Sequence, residues 1–77
     1  MVVNLFDKQF ECEQIKFAVL SSTGVRLGVF RIVDPRSKYC GKYLVLVKRG
    51  RDVLHHLRFH ECRNAICCFI EYICRYA

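Results

Sequence analysis

Apolar residues in the C-terminal stretch HECRNAICCFIEYICRY, residues 60–76, recur at helical spacing. Cys62, Ala65, Ile66, Phe69, Ile70 and Ile73 fall on one side, with Glu61, Arg63, Asn64, Glu71 and Arg75 on the other. That is the i, i+3, i+4, i+7 pattern of an amphipathic helix. Upstream the period changes to two. In residues 15–20, Ile15, Phe17 and Val19 share a face opposite Lys16 and Ala18. The polar run Ser21-Ser22-Thr23-Gly24 reads as a hairpin loop, with Gly24 free to take a positive φ. Residues 25–33 form a second strand with two possible phases. Strict alternation groups Val25, Leu27, Val29 and Val33 but brings Arg31 to the buried side. A bulge at Gly28 would instead turn Val25, Leu27, Phe30 and Ile32 inward and leave Arg26 and Arg31 outside.

Asp34-Pro35-Arg36-Ser37-Lys38 is the strongest loop signal, since proline pre-sets the second position of a turn. Residues 42–48 give a third strand and residues 53–59 a fourth, joined by the turn Arg49-Gly50-Arg51-Asp52. In the fourth, Val53, His55, Leu57 and Phe59 alternate with Leu54, His56 and Arg58. Residues 1–11 fit an edge strand or an arm built on Val2, Val3, Leu5 and Phe6, with a turn at Asp7-Lys8-Gln9. Short loops favour a meander. The expected fold is therefore α+β: a four-stranded antiparallel sheet, β-β-β-β-α, with one C-terminal amphipathic helix packed on one face.

At 77 residues this is a single domain spanning 1–77. A domain of this size buries only about 60% of its unfolded surface, so it leans on disulfides, a metal or a partner subunit. With 53% hydrophobic residues, some apolar surface is expected between subunits, as in a homodimer. Residues 1–10 lack the charged-then-apolar pattern of a secretory leader. Four of the six cysteines, Cys62, Cys67, Cys68 and Cys74, lie in the helical stretch, where free cysteine acts as a small hydrophobe. The expectation is a reduced intracellular protein, cytoplasmic or nuclear. No apolar run reaches the roughly 18–20 residues of a membrane span, so no membrane partner is expected.

Lys and Arg total 13 against 7 acidic residues, a formal charge of +6. Such an excess favours polyanions over acidic-metabolite chemistry. Lys16, Arg26, Arg31, Lys42, Lys48, Arg49, Arg51 and Arg58 lie on the predicted strands or their turns. On a sheet face turned away from the helix they would neutralise phosphates, and Tyr43 or Phe30 could stack on unpaired bases. These residues, with Tyr43, form the candidate nucleic-acid site, for single strands in preference to duplex.

Zinc and catalysis carry weaker signals. His55, His56, His60, Cys62, Cys67 and Cys68 have zinc-ligand chemistry, but no C-x2-C or H-x3-H pair is present, so no metal or other cofactor is expected. There is no G-x-S-x-G, H-E-x-x-H or P-loop, and cysteines in apolar surroundings are poor nucleophiles. The expectation is no enzymatic activity. The alternative to nucleic-acid binding is a small accessory protein, of viral type, that engages a host or partner protein through its sheet edge or helix.

The hairpin KFAVLSSTGVRLGVFRIV, the strand GKYLVLVKRG and the strand-helix unit VLHHLRFHECRNAICCFIEYI follow a β4-α layout. That layout resembles the building block of the Pur-alpha (PUR-repeat), Whirly and positive-cofactor families. Phe69-Ile70-Glu71-Tyr72 sits where a PUR repeat has a similar aromatic-acidic helix end. The resemblance implies single-stranded DNA or RNA binding on a curved sheet. It also implies dimerisation of a single copy through its helix or sheet edges, with Cys68, Tyr72 and Tyr76 as helix contacts.

Overall fold

The computed structural model of the chain describes all 77 residues. Five strands and one helix follow in order: β1 (Val2–Leu5), β2 (Lys8–Leu20), β3 (Val25–Ile32), β4 (Tyr43–Arg49), β5 (Asp52–Phe59) and α1 (Cys62–Tyr76). Each strand pairs antiparallel with the next, in the sheet order β1-β2-β3-β4-β5. The α+β meander with a C-terminal helix holds, but the sheet has five strands rather than four. The additional strand is β1, which pairs Val2 with Glu11 and Leu5 with Lys8. The chain reverses at Phe6-Asp7, one residue earlier than the polar run suggests, because Phe6 itself takes a left-handed φ of 57°. That conformation is costly for a bulky side chain. Phe6 meets His56 of β5 edge-on, with ring centroids 5.2 Å apart.

Strands β3 and β4 are apolar on both faces, and each face has its own cover. On one side Val25, Leu27, Val29, Val45 and Val47 pack under Ala65 and Phe69 of α1. On the other, Phe30, Ile32, Leu44 and Leu46 pack under Val3, Leu5 and Cys12 of the β1-β2 hairpin. The unbroken run Leu44-Val45-Leu46-Val47 is buried throughout, as a strand covered on both sides requires.

Bulges decide which residues reach which face. β3 keeps strict alternation, so no bulge forms at Gly28. Arg31 does fall on the helix side, but beyond the helix, where it bonds Glu13 at 3.1 Å. Gly28 is needed for another reason: a Cβ there would stand 2.6 Å from the Phe30 ring that lies across it. The sheet bulges instead in β2, between Gln14 and Lys16. Phe10 and Cys12 before the bulge join the hairpin-side core, while Ile15, Ala18 and Leu20 pack under the helix. Phe17 and Val19 are thereby turned to the hairpin face, separated from Ile15, and both are exposed. A second irregularity at Val47/Lys48 does the same in β5. Val53 joins the hairpin-side core, and Leu54 and Phe59 join the helix side.

The helix is also rotated from its expected position. Ala65 and Phe69 are buried, Tyr72, Ile73 and Tyr76 pack against the same cluster, and Ile70 is 52% exposed. The aromatic flank wins because His55 of β5 receives it. Its ring stacks on Tyr72 at 4.6 Å, and its Nε2 lies 2.8 Å from the Tyr76 hydroxyl. Cys68, Tyr72 and Tyr76 therefore contact the chain's own sheet. Replacing Phe69 with Ala is expected to cost about 3–5 kcal/mol in denaturant unfolding, through the cavity left beneath the helix. Ile70→Ala is expected to stay within about 0.5 kcal/mol.

Candidate nucleic-acid interface

The β1-β2 hairpin covers only part of its face. β1 is four residues long, so the ends of β2, β3 and β4 nearest the 21–24 and 50–51 turns lie beyond it. Between β1 and this uncovered end runs a groove of about 230 Å³, floored by Gly28, Phe30 and Leu46. Val2 and Phe17 form its apolar rim, and Arg26 and Lys48 its charged rim. Lys48 also borders an adjoining hollow of about 370 Å³, which Phe6, Arg51 and Asp52 share.

The electrostatics of the rim are unusual. Arg26 and Lys48 are direct cross-strand partners on one face. Side chains so placed stand about 5 Å apart at Cβ, and like charges there destabilise the sheet. Neither residue has a carboxylate within ion-pair distance, nor does Arg51. The four ion pairs of the chain occur elsewhere, at Arg31, Arg36, Arg63 and the N-terminal amine.

The remaining sequence-derived candidates scatter. Lys16 lies opposite Val29 and Arg49 opposite Val25, both on the helix side of the sheet register. Arg31 is held by Glu13. Lys42 precedes β4, with its Nζ 2.8 Å from Nδ1 of His60. Tyr43 is half-buried against the helix cluster, and Phe30 is in the hairpin core, so neither offers an open ring face. Arg58 is on the hairpin side but at the far end, its guanidinium 4.1 Å from the Tyr39 ring centroid. Lys38 approaches the same ring at 5.2 Å, and Lys8 and Arg36 line the cleft beside it. Of the nine candidates, Arg26, Lys48 and Arg51 come together.

Two groove residues escaped the sequence reading: Phe17, half-exposed beside Arg26, and Phe6, 69% exposed at the hairpin tip. Alternation groups Phe17 with Ile15 and Val19, because the β2 bulge that separates them has no glycine to mark it. Phe6 lay inside an ambiguous N-terminal segment.

Other reactive groups are held in structural roles. No three His, Cys, Asp or Glu side chains converge in a metal-binding arrangement. All six cysteines are free thiols. Burial pushes Cys12 up to about 11, only partly offset by the N-terminal amine, and burial also raises Cys68, with Glu71 adding to it. Asp34 is buried in the 34–42 loop, where its Oδ1 accepts hydrogen bonds from Arg36 Nε and Arg36 N at 3.2 and 3.0 Å. Those bonds, the side-chain one foremost, hold its carboxyl below the usual carboxylate range. No helix is long and apolar enough to cross a membrane. No protein-family model, curated protein or solved structure matches this chain.

Thiolate character and access together govern alkylation. Mass spectrometry of the native protein after brief treatment near pH 8 is expected to find Cys40, Cys67 and Cys74 modified and Cys12 untouched. Asp34 gives a pH signature. Its folded-state pKa is depressed, so its stabilising effect is present above the unfolded value of about 4 and fades as pH falls through the folded value. Asp34→Asn should lower the melting temperature at neutral pH, and the gap to wild type should narrow as pH falls below the unfolded value of about 4.

Proposed function

We propose that this chain is a non-enzymatic, single-stranded nucleic-acid-binding protein, acting as a homodimer, that takes its ligand in the groove beside β1. The observation that carries the reading is the Arg26–Lys48 pair: two cations set directly opposite each other with no carboxylate to separate them. Folding alone disfavours that arrangement, and a bound phosphate relieves it. Arg51 extends the positive charge along the adjoining hollow. Phe17 and Phe6 offer the open rings that base stacking needs, in place of Tyr43 and Phe30. Stacking of this kind requires unpaired bases, which favours single-stranded DNA or RNA over duplex. The layout resemblance to PUR-repeat and Whirly-type units points the same way, with one strand more than their four.

A second reading, a partner protein on the same surface, draws on the exposed apolar residues Val2, Phe6, Phe17 and Val19. A complex that survives nuclease treatment and no oligonucleotide binding would favour it.

Fluorescence anisotropy with labelled single-stranded oligonucleotides is the direct test. Affinity should fall with salt, and Arg26→Gln or Lys48→Gln should each flatten the log–log salt slope by about 0.7. Phe17→Ala should weaken binding by about 1–3 kcal/mol. The same Arg26→Gln and Lys48→Gln variants should be equal or higher in stability, by about 0.2–1 kcal/mol, as the cross-strand repulsion is lost. Absence of binding at low salt, or loss of stability in both variants, rejects the reading.

A further inference from the structure

We propose that the dimer forms by antiparallel edge-to-edge pairing of β2 with β2 of a second copy, about a two-fold axis at Ala18. The inference deepens the nucleic-acid reading by naming the surface that joins two grooves. It rests on that reading only for the use made of them.

β2 changes its neighbour along its length, pairing with β1 over residues 8–11 and with β3 from Cys12 onward. Residues 16–20 pair with β3 alone. No backbone bond from a turn or loop covers the outer side of residues 16–19. An open edge of this kind invites another strand unless charge, proline or a bulge blunts it. The other edge of the sheet is blunted: β5 carries Asp52, His55, His56 and Arg58, and is irregular at Leu54. In residues 16–20 of β2 the bulge lies before the segment, no proline occurs, and the one charge is Lys16 at its end.

Self-pairing of this segment is complementary in detail. With Ala18 on the axis, Phe17 stands across from the partner's Val19, and Val19 across from the partner's Phe17. Phe17 is 50% exposed and Val19 56%, both on the groove face. Aromatic–β-branched pairs are among the favourable cross-strand combinations, and the symmetry supplies two. Lys16 stands across from the partner's Leu20, which keeps the two lysines about 14 Å apart along the strands. Small Ala18 meets itself on the helix side. Pairing β2 to β5 of another copy would be heterologous and would leave a free edge at each end, whereas β2 with β2 closes.

A two-fold axis normal to the sheet keeps the groove faces of both copies on the same side. Val19 lies directly opposite Arg26 of β3, so each groove begins immediately beside the new seam. The dimer then presents one continuous sheet, with Arg26, Lys48 and Arg51 from each copy flanking a central apolar strip of Phe17 and Val19. A strand of nucleic acid could follow both grooves in turn.

Sedimentation equilibrium of the nucleic-acid-free protein tests the pairing. The expected mass is twice that of the 9.1 kDa chain. Val19→Lys, at an exposed position, should fall to 9.1 kDa with an unchanged circular dichroism spectrum, while Ile70→Lys on the outer helix face should remain dimeric. Wild-type protein gives a check independent of any variant. Amide hydrogen exchange in residues 16–20 should slow as concentration rises, with no such change in β5 or α1. A monomer at every concentration, a dimer that persists in Val19→Lys, or concentration-dependent protection located on β5 or α1 overturns the proposal. A monomer that binds oligonucleotide leaves the functional reading standing, and a dimer that binds none leaves the pairing standing.

Discussion

Two apolar faces on one small sheet need two covers, and the chain has only enough residues to make one and a half. α1 closes the helix side with Ala65 and Phe69 over the valines of β3 and β4. The β1-β2 hairpin closes the other side with Val3, Leu5 and Cys12, but β1 stops after four residues. What it leaves open is the groove bounded by Phe17, Arg26 and Lys48. The proposed binding surface is thus a by-product of incomplete burial, placed where the second layer runs out. Hydrophobic burial drives the closure on both sides, so the remaining exposed apolar rim carries the same drive toward any partner able to cover it.

The bulge in β2 makes this surface chemically mixed. Without it, the alternation of residues 15–20 would put Ile15, Phe17 and Val19 on one face. The extra residue hands Ile15 to the helix side and sends Phe17 and Val19 to the groove side. One irregularity therefore sets rings beside cations. The Arg26–Lys48 juxtaposition is the reverse of what sheet stability alone would select. Its position at the mouth of an apolar groove, away from the ion pairs of the chain, is what separates it from an ordinary solvated charge.

Much of the architecture could be read from periodicity. The helix, its two buried residues Ala65 and Phe69, the half-buried Ile73 and four of the strands follow from spacings of 3.6 and 2. What periodicity could not supply is the second cover. The uninterrupted Leu44-Val45-Leu46-Val47 run was the available sign that both faces of β4 are buried, yet a continuous apolar run does not say what lies on either side. Bulges without glycine, as at Ile15 and Leu54, leave no composition signal, so every face assignment beyond them is inverted. The helix rotation was hidden for a different reason. His55 draws Tyr72 and Tyr76 onto the sheet by stacking and hydrogen bonding, a cross-element contact that the helix sequence alone cannot contain. Of the site, the cations Arg26, Lys48 and Arg51 were legible as charges on strands and turns. Their convergence depended on the register between β3 and β4.

Stability and binding are coupled in a chain of this kind. A 77-residue domain with a formal charge of +6 repels itself, and its open groove concentrates part of that repulsion in one cross-strand pair. Whatever binds only the folded form adds stability as RT ln(1 + [L]/Kd). A polyanion on Arg26 and Lys48 would remove the repulsion, and a second copy on the β2 edge would set Phe17 and Val19 side by side across the seam while leaving their groove face open. Neither contribution requires rearrangement of the core, because the uncovered residues already stand on rigid strands whose opposite faces are packed. The marginal size of the domain and the exposure of its groove are consequently one fact: the surface that the chain does not bury by itself is the one on which the proposed partners would act.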